Sequence, residues 1–206
     1  ANQFIKSGMS KNILVVGAEI LSRIVDYTDR ETCILFGDGA GAVVLRPAEP
    51  GVQSQIYAER MFADGCLGDL FTLLAGGSKL PFSQEALDKR SHFVKMKGRE
   101  IFKHAVRTMA EGCQQALADA SMSVNDVHWL IPHQANIRIL EAVAKHLDFP
   151  VEKVDVTVKD TGNTSAATVP IALDQSIRAG RIQRGQNVLL TAFGAGLTSG
   201  SILLRY

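Results

Sequence analysis

The amino-acid sequence predicts a layered α/β fold, and three observations support that prediction. Short runs rich in Val, Ile and Leu, with little polar alternation, are typical of strands buried on both faces of a sheet. Segments with helical periodicity are interspersed with these runs. Two stretches of the chain also repeat the same succession of elements, which favours a fold built from two similar halves.

The predicted elements can be followed along the chain. The predicted strands are residues 12–17, 33–36, 41–45, 129–132, 187–192 and 201–205. The predicted helices are residues 98–120, 137–147 and 165–179. The segment 65–91 is richer in Gly, Ser and Asp, so we expect it to connect the two halves, with short helices covering a site.

The internal repeat compares the beginning of the chain with its end. ANQFIKSG, NILVVGAE and GDGAGAVVLR in the first part correspond to LDQSIRAG, NVLLTAFGAG and GSILLRY in the last. Each set reads as a helix end, a glycine cap, a surface turn, a buried strand, a glycine loop and a final strand. The matched pairs are Gln3 and Gln175, Lys6 and Arg178, and Gly8 and Gly180. These matches favour duplication over a chance recurrence of helix, glycine and strand.

Composition excludes several classes of function. Lys and Arg number 22 against 21 Asp and Glu, so no overall basic field would hold a nucleic acid. The apolar runs have the length of strands and are too short to cross a bilayer. The three cysteines lack CxxC spacing, which argues against a disulfide framework and a zinc site. We therefore expect no membrane or nucleic-acid partner, no metal, and a reducing, cytoplasmic location.

The first residues have the pattern of a helix end rather than of a natural N-terminus. The chain opens ANQFIKSG, with apolar Phe4 and Ile5 followed by a glycine stop at Gly8. We therefore expect that a segment is missing upstream, and that the first half of the fold is truncated.

Three motifs carry the chemical information. WLIPHQAN (129–136) places His133 where a buried strand ends, the usual location of functional residues in α/β sheets. DTGNTSAATVP (160–170) places Asn163 at the entrance to a helix, where an amide can stabilise developing negative charge. AFGAGLTSG (192–200) is a glycine loop that can direct backbone N–H groups into a site. Taken singly, His133 could be a structural residue and Asn163 a helix cap.

These motifs, in this order and with FGDGAGAVVL (36–45) upstream, resemble β-ketoacyl-[acyl carrier protein] synthase III enzymes of bacterial fatty acid synthesis. The resemblance covers essentially the whole chain. It implies a thiolase-like duplicated fold of α-β-α-β-α layers. Residues 1–65 would be the remainder of the first half, residues 66–95 a connecting segment at the substrate site, and residues 96–206 the second half. For FGDGAGAVVL itself we favour tight structural packing over chemistry.

The resemblance also implies a reaction and its catalytic groups. An acyl group passes from coenzyme A to a Cys thiol, and malonyl-acyl carrier protein then loses CO2 and attacks the acyl-enzyme. His133 and Asn163 would bind the thioester carbonyl, each donor contributing about 3 kcal/mol. The backbone N–H of Ala195, where the family usually has Gly, would bind the tetrahedral intermediate. Counting along the repeat places the family's Cys about ten residues before Ala1. Cys33, Cys66 and Cys113 are interpreted as packing residues, although Cys66, in a loop, could be exposed.

Further residues match the family's substrate contacts. Asn136 and Gly98 correspond to pantetheine contacts, Arg30 to an adenine contact, and Phe193 to the acyl pocket. Arg99 replaces a common Asn and Ser199 a frequent Trp, so acyl-chain preference cannot be carried over.

The expected partners follow from the same resemblance. Lys103, Arg138 and Lys145 would form a basic patch for the acidic acyl carrier protein, although each could equally be part of a solvated helix face. Coenzyme A thioesters, the missing N-terminal segment and a second subunit in a homodimer complete the expected partners, and no cofactor is expected. Two alternatives remain open: a related enzyme that joins long chains or makes a secondary metabolite, and a non-catalytic acyl-CoA or carrier-protein binding module.

Overall fold

The computed structural model describes residues 1–52 and 54–206 and contains both helices and strands. The helices are α1 (Asn2–Lys6), α2 (Gln84–Asp88), α3 (Gly98–Asp119), α4 (Ile137–His146), α5 (Val158–Thr161) and α6 (Thr168–Arg178). The strands are β1 (Ile13–Ile20), β2 (Asp38–Leu45), β3 (Gln55–Ala63), β4 (Phe71–Leu73), β5 (Val94–Met96), β6 (Trp129–Pro132), β7 (Asn187–Gly194) and β8 (Thr198–Arg205). Short 3-10 turns lie between them, one of them at Ser165–Ala167.

The main sheet has four strands in the order β3-β8-β7-β6. Strands β6 and β7 are parallel, whereas β8 is antiparallel to both β7 and β3. Both faces of this sheet are buried: Leu130 and Leu189 belong to one apolar cluster, and their neighbours Ile131 and Val188 to another. Continuous apolar runs therefore predicted two-sided burial correctly.

Helices cover both faces of the main sheet. Helices α3 and α4 pack together on one face, where they bury the larger cluster around Met109 and Leu140. Helix α6 contributes Ala172 to the cluster on the other face, and it also packs against β2. The chain is thus layered as α3 and α4, the main sheet, α6, and the β1-β2 pair. These are alternating layers, as the predicted fold class requires.

Glycines in β1 and just before β2 allow this pair to pack closely against the segment 161–166. A Cβ atom on Gly17 would lie 2.4 Å from the carbonyl oxygen of Ala166, and one on Gly37 would lie 2.2 Å from that of Thr161. Side chains are therefore excluded at both positions. The predicted packing role of the FGDGAGAVVL segment is confirmed. The opposite face of the pair is apolar and exposed, at Leu14, Val16, Ile20 and Val44.

The two copies of the sequence repeat have the same local structure. Gly8 follows α1 with φ 75°, and Gly180 follows α6 with φ 72°, so both adopt the left-handed conformation that favours glycine at a helix end. In each copy the next two strands, β1 with β2 and β7 with β8, pair antiparallel along their full length. The predicted helices at 98–120, 137–147 and 165–179 are also present, the last entered through a 3-10 turn.

The structure corrects the prediction of a strand at residues 33–36. Residues 33–35 form turns, and Phe36 makes only an isolated bridge to Asn163. The reason is tertiary, because the N–H of Gly37 donates to the carbonyl of Asn163, which is distant in sequence, instead of joining a strand ladder.

Three strands were absent from the sequence prediction. The residues of β3 mix charged and apolar side chains, and its register with β8 shifts between Ile56 and Ala58, so no regular period marks the strand. Strands β4 and β5 have three residues each and pair only with one another within the described residues.

The division at residues 1–65, 66–95 and 96–206 stays a prediction. Strand β3 lies in the first of these ranges by sequence, and it is hydrogen-bonded to β8 of the last. No helix among the described residues has both the length and the apolar character needed to cross a membrane.

Candidate active site

A cavity of about 620 Å³ opens between α3, α4 and the loops that follow β6 and precede α6. Five of the predicted site residues line it, namely His133, Asn163, Asn136, Gly98 and Phe193. Apolar side chains form much of the rest of the wall, including Phe36, Phe71, Met96 and Ile139. The structure thus brings together residues that lie far apart in sequence, as the predicted positions at strand and helix ends require.

His133 is held at the end of β6 by both its backbone and its ring. Its N–H donates to the carbonyl of Thr191 on β7 at 2.7 Å. Its Nδ1 lies 2.6 Å from the hydroxyl oxygen of Thr168, which is buried at the start of α6. Nε2 is therefore the ring nitrogen left for a ligand. Burial lowers the pKa of His133 to about 4, so the ring is neutral at pH 7.

Asn163 is fixed by hydrogen bonds on three of its polar groups. Its N–H donates to the carbonyl of Leu35 and its own carbonyl accepts from the N–H of Gly37, both at 2.9 Å. Its Oδ1 accepts from the N–H of Ser165 at 2.9 Å. Because Oδ1 is engaged, the Nδ2 amide group remains to donate a hydrogen bond to a ligand. Asn163 precedes the 3-10 turn Ser165–Ala167 that leads into α6, and its side chain has a structural bond at Oδ1 and a donor left at Nδ2.

Asn136 likewise has one structural bond and one free group. Its Oδ1 accepts from the N–H of Ile139 at 3.0 Å and so caps α4, while the residue also lines the cavity. Gly98 begins α3 beside it, and Phe193, 9% exposed, forms part of the apolar wall.

Gln134 is a polar residue that the sequence prediction did not single out. Its side chain is fully buried, and its Nε2 donates to the carbonyls of Pro132 at 2.8 Å and Asp155 at 3.1 Å. Its Oε1 accepts from the N–H groups of Thr157 and Val158 at 2.8 and 3.1 Å. The amide is therefore fully satisfied. Its position directly after His133 was the only signal in the sequence.

Thr168 was also missed. The sequence contained a signal for Thr168, because it lies three residues after Ser165, about one turn into the predicted helix 165–179 that follows Asn163. Its hydroxyl oxygen lies 2.9 Å from the carbonyl oxygen of Ser165 and 2.6 Å from His133 Nδ1. A hydroxyl has one proton, and its donation to Nδ1 leaves the single proton of the neutral ring on Nε2, where it can be donated to a ligand.

The remaining predicted residues lie outside the cavity wall. Arg30 is exposed, although its neighbour Glu31 lines the cavity. Its loop is anchored by buried Asp26, which accepts two hydrogen bonds from Arg90 at 2.7 and 2.5 Å. These bonds hold the pKa of the Asp26 carboxyl well below its usual range. Ala195 is exposed, one residue beyond Gly194 of the cavity wall.

The predicted basic patch lies on two helices that pack against each other. Lys103 on α3, and Arg138 and Lys145 on α4, are all exposed. Among residues 1–52 and 54–206, none of the three takes part in an ion pair. Their charges are therefore free to act on an approaching partner.

None of the three cysteines lines this cavity. Cys113 is buried in the core, and burial raises its pKa to about 11. Cys33 is partly buried and Cys66 is exposed, and no cysteine of the described residues lines the cavity. The described part of the chain also holds no cluster of three His, Cys, Asp or Glu residues that could bind a metal.

The geometry supports a definite kind of chemistry. His133 and Asn163 line one cavity with largely apolar walls, and the Nε2–H of a neutral imidazole and the Nδ2 amide group are the donors that these side chains can offer. Such groups can bind a carbonyl oxygen and stabilise negative charge that develops on it, and they act more strongly there than in water.

Two family models match most of the chain. Residues 1–65 match the family model described as "3-Oxoacyl-[acyl-carrier-protein (ACP)] synthase III", and residues 117–206 match the model of the C-terminal part of the same enzyme. A protein of Xanthomonas campestris named beta-ketoacyl-[acyl-carrier-protein] synthase III is 50% identical over 206 residues, which is 100% of this chain and 62% of that protein. The chain thus spans about three fifths of the length of the curated relatives it matches.

Solved structures give the same result for the fold. The crystal structure of 3-oxoacyl-[acyl-carrier-protein] synthase III from Aquifex aeolicus matches with a TM-score of 0.87 and 48% identity, over 99% of this chain and 61% of that one. The crystal structure of a beta-ketoacyl-[acyl carrier protein] synthase III from Thermus thermophilus matches with a TM-score of 0.90 and 38% identity, over 100% of this chain and 62% of that one. The thiolase-like α/β fold predicted from the sequence is therefore confirmed.

Proposed function

The chain belongs to the 3-oxoacyl-[acyl-carrier-protein] synthase III family, and we propose that the protein catalyses the first condensation of fatty acid synthesis. In this proposal an acyl-CoA primer and malonyl-acyl carrier protein give 3-oxoacyl-acyl carrier protein, coenzyme A and CO2. The observation that carries the proposal is that His133 and Asn163 line one cavity, each with a nitrogen left for a ligand.

The proposed reaction has two stages. A Cys thiolate first attacks the acyl-CoA carbonyl, and coenzyme A leaves as a thiolate that takes a proton from water. We assign this thiol to polypeptide outside the 206 residues, because none of the described cysteines lines the cavity. Malonyl-acyl carrier protein then binds with its thioester carbonyl at His133 and Asn163. Loss of CO2 forms an enolate that these two residues stabilise, and the enolate carbon attacks the acyl-enzyme and displaces the Cys thiolate.

The substrate-binding residues divide into those inside the cavity and those outside. Asn136 and Gly98 would contact the pantetheine arm, and Phe193 the acyl group; all three line the cavity. Arg30 would contact the adenine end from its exposed loop. The N–H of Ala195 would donate to the tetrahedral intermediate, next to the Gly194 wall of the cavity.

The partners belong to the same proposal. Lys103, Arg138 and Lys145 would attract the acidic acyl carrier protein, chiefly by raising its rate of association. We also propose a homodimer in the cytoplasm, working on dissolved thioester substrates without a cofactor.

The function is tested on the full-length protein by following CO2 release from malonyl-acyl carrier protein. We expect His133→Ala and Asn163→Ala each to lower decarboxylation on the order of 100-fold, as the loss of one stabilising donor predicts. The exposed residues His146 and Asn12 provide matched controls, and their replacement by Ala should change little. Unchanged decarboxylation in both site variants would contradict the proposal.

Priming assays separate the alternatives. Acetyl-CoA and branched acyl-CoA should prime condensation. If only long-chain acyl-CoA does so, the protein joins long chains instead. If thioesters bind but no acyl-enzyme forms with any chain length, the protein is a binding module.

A further inference from the structure

Gln134 follows His133 in sequence, but its side chain binds backbone groups in the interior instead of lining the cavity. It is fully buried, and its two donors and its acceptor oxygen are engaged by four backbone groups. No polar group of this side chain remains for a substrate, and Gln134 does not line the cavity. Any influence on the reaction must therefore pass through the backbone that it binds.

The four backbone groups belong to two segments that carry the two reacting side chains. The carbonyl of Pro132 immediately precedes His133 at the end of β6. The N–H groups of Thr157 and Val158 begin α5, which leads through Gly162 to Asn163. One rigid amide thus joins the end of the His133 strand to the start of the Asn163 segment.

The contact between His133 and Thr168 closes this connection from the other side. Thr168 lies five residues after Asn163, and its hydroxyl is 2.6 Å from His133 Nδ1. Asn163 therefore lies between two points, Thr157–Val158 and Thr168, that are both bound to the end of β6. The separation of His133 Nε2 from Asn163 Nδ2 depends on both connections.

We infer that Gln134 is a positioning residue that sets the geometry of His133 and Asn163 for decarboxylation of the malonyl thioester. The inference rests on the proposed function. It deepens that function by assigning a role in the second stage of the reaction to a residue that touches no substrate. Two groups must bind one oxygen together, so a change of about 1 Å in their separation lowers the rate on the order of 100-fold.

The replacement Gln134→Glu tests this with almost no change in shape. When ionised, the carboxylate still accepts from Thr157 and Val158, but it repels the carbonyls of Pro132 and Asp155. When protonated, its O–H can donate to one of these carbonyls, and most of the connection returns. Since the repulsion favours the protonated form, the defect should weaken as pH falls from 8 to 6.

The measurement is made on the full-length protein and normalised to active sites. The burst of acylation by radiolabelled acetyl-CoA counts folded, competent molecules, and decarboxylation is expressed per acylated site. We expect kcat for decarboxylation to fall on the order of 100-fold at pH 8, KM for malonyl-acyl carrier protein to change little, and kcat relative to wild type to recover at pH 6. Gln175→Glu makes the same chemical change on an exposed face of α6 and should leave all three quantities unaltered.

Two outcomes would overturn the inference: wild-type kcat per acylated site at every pH, or a loss that does not vary with pH. Gln134→Asn provides a second variant that keeps the amide but shortens its reach by one methylene. It should lose decarboxylation equally at pH 6 and pH 8, and wild-type kcat per site would count against the inference. His133→Ala is assayed in parallel, because retained decarboxylation in that variant refutes the proposed function itself.

Discussion

Replacing Gly37 by Ala tests how tightly the first part of the chain is packed against the candidate site. The added Cβ would lie 2.2 Å from the carbonyl oxygen of Thr161, a backbone atom that cannot rotate away. The two segments must separate by about 1 Å to restore van der Waals contact, and this overpacking costs about 1–3 kcal/mol. The separation also weakens the 2.9 Å hydrogen bond from Gly37 N–H to the Asn163 carbonyl, which adds about 1 kcal/mol.

The expected loss for Gly37→Ala is therefore about 2–4 kcal/mol in the free energy of unfolding. Urea denaturation followed by circular dichroism measures it. Gly65→Ala is the matched control, because a Cβ there meets no atom within 4 Å and the change should stay within about 0.5 kcal/mol. If the two variants differed by less than that amount, the close approach of Gly37 to Thr161 would be wrong.

Three further predictions concern charge and reactivity. The pKa of His133 is lowered from 6.5 to about 4, so the unfolded chain binds a proton at this residue before the folded chain does as pH falls. The free energy of unfolding should therefore decrease by roughly 3 kcal/mol between pH 6.5 and pH 4. His133→Asn should remove that part of the pH dependence in urea titrations. Reversing charge in an Arg138→Glu, Lys145→Glu double variant should slow association with acyl carrier protein about tenfold at low salt and much less at high salt, by stopped-flow fluorescence; equal slowing at both salt concentrations would count against steering. Iodoacetamide should alkylate exposed Cys66 and spare Cys113, whose pKa is raised to about 11; mass spectrometry that finds Cys113 modified in folded protein would contradict its burial.

Much of the fold was predictable because local sequence and tertiary structure agree. Strands β6, β7 and β8 are buried on both faces, and this produces the continuous apolar runs that marked them. Gly8 and Gly180 marked the ends of α1 and α6, because both need the left-handed backbone conformation.

Residues 33–36 and β3 show where sequence alone was insufficient. The apolar run at 33–36 has the composition of a strand, but Asn163 takes the hydrogen bonds on either side of Phe36. Strand β3 is recognisable mainly through its partner β8, and that pairing joins segments more than a hundred residues apart. Tertiary context decides both elements.

The same distinction applies to the candidate site. His133 and Asn163 lie at a strand end and before a helix, so position and residue type marked them, whereas Asn136 was assigned through the family resemblance. The connections through Gln134 and Thr168 depend on which segments meet in space, and no periodicity records that. Arg30 and Ala195 lie beside the cavity wall rather than on it, and their roles stay predictions.

The bridge between Phe36 and Asn163 connects ligand binding at the Arg30 loop with the placement of Asn163, although the two residues are far apart in sequence. The backbone of Asn163 is held by Leu35 and Gly37, which end the same loop that exposes Arg30. A ligand that binds Arg30 would therefore contact the same loop that fixes the backbone of Asn163. If binding there favours one placement of Asn163, that placement must favour binding to the same degree. One coupling free energy would then describe both the effect of ligand binding on the placement of the Asn163 side chain and the effect of that placement on the affinity for the ligand.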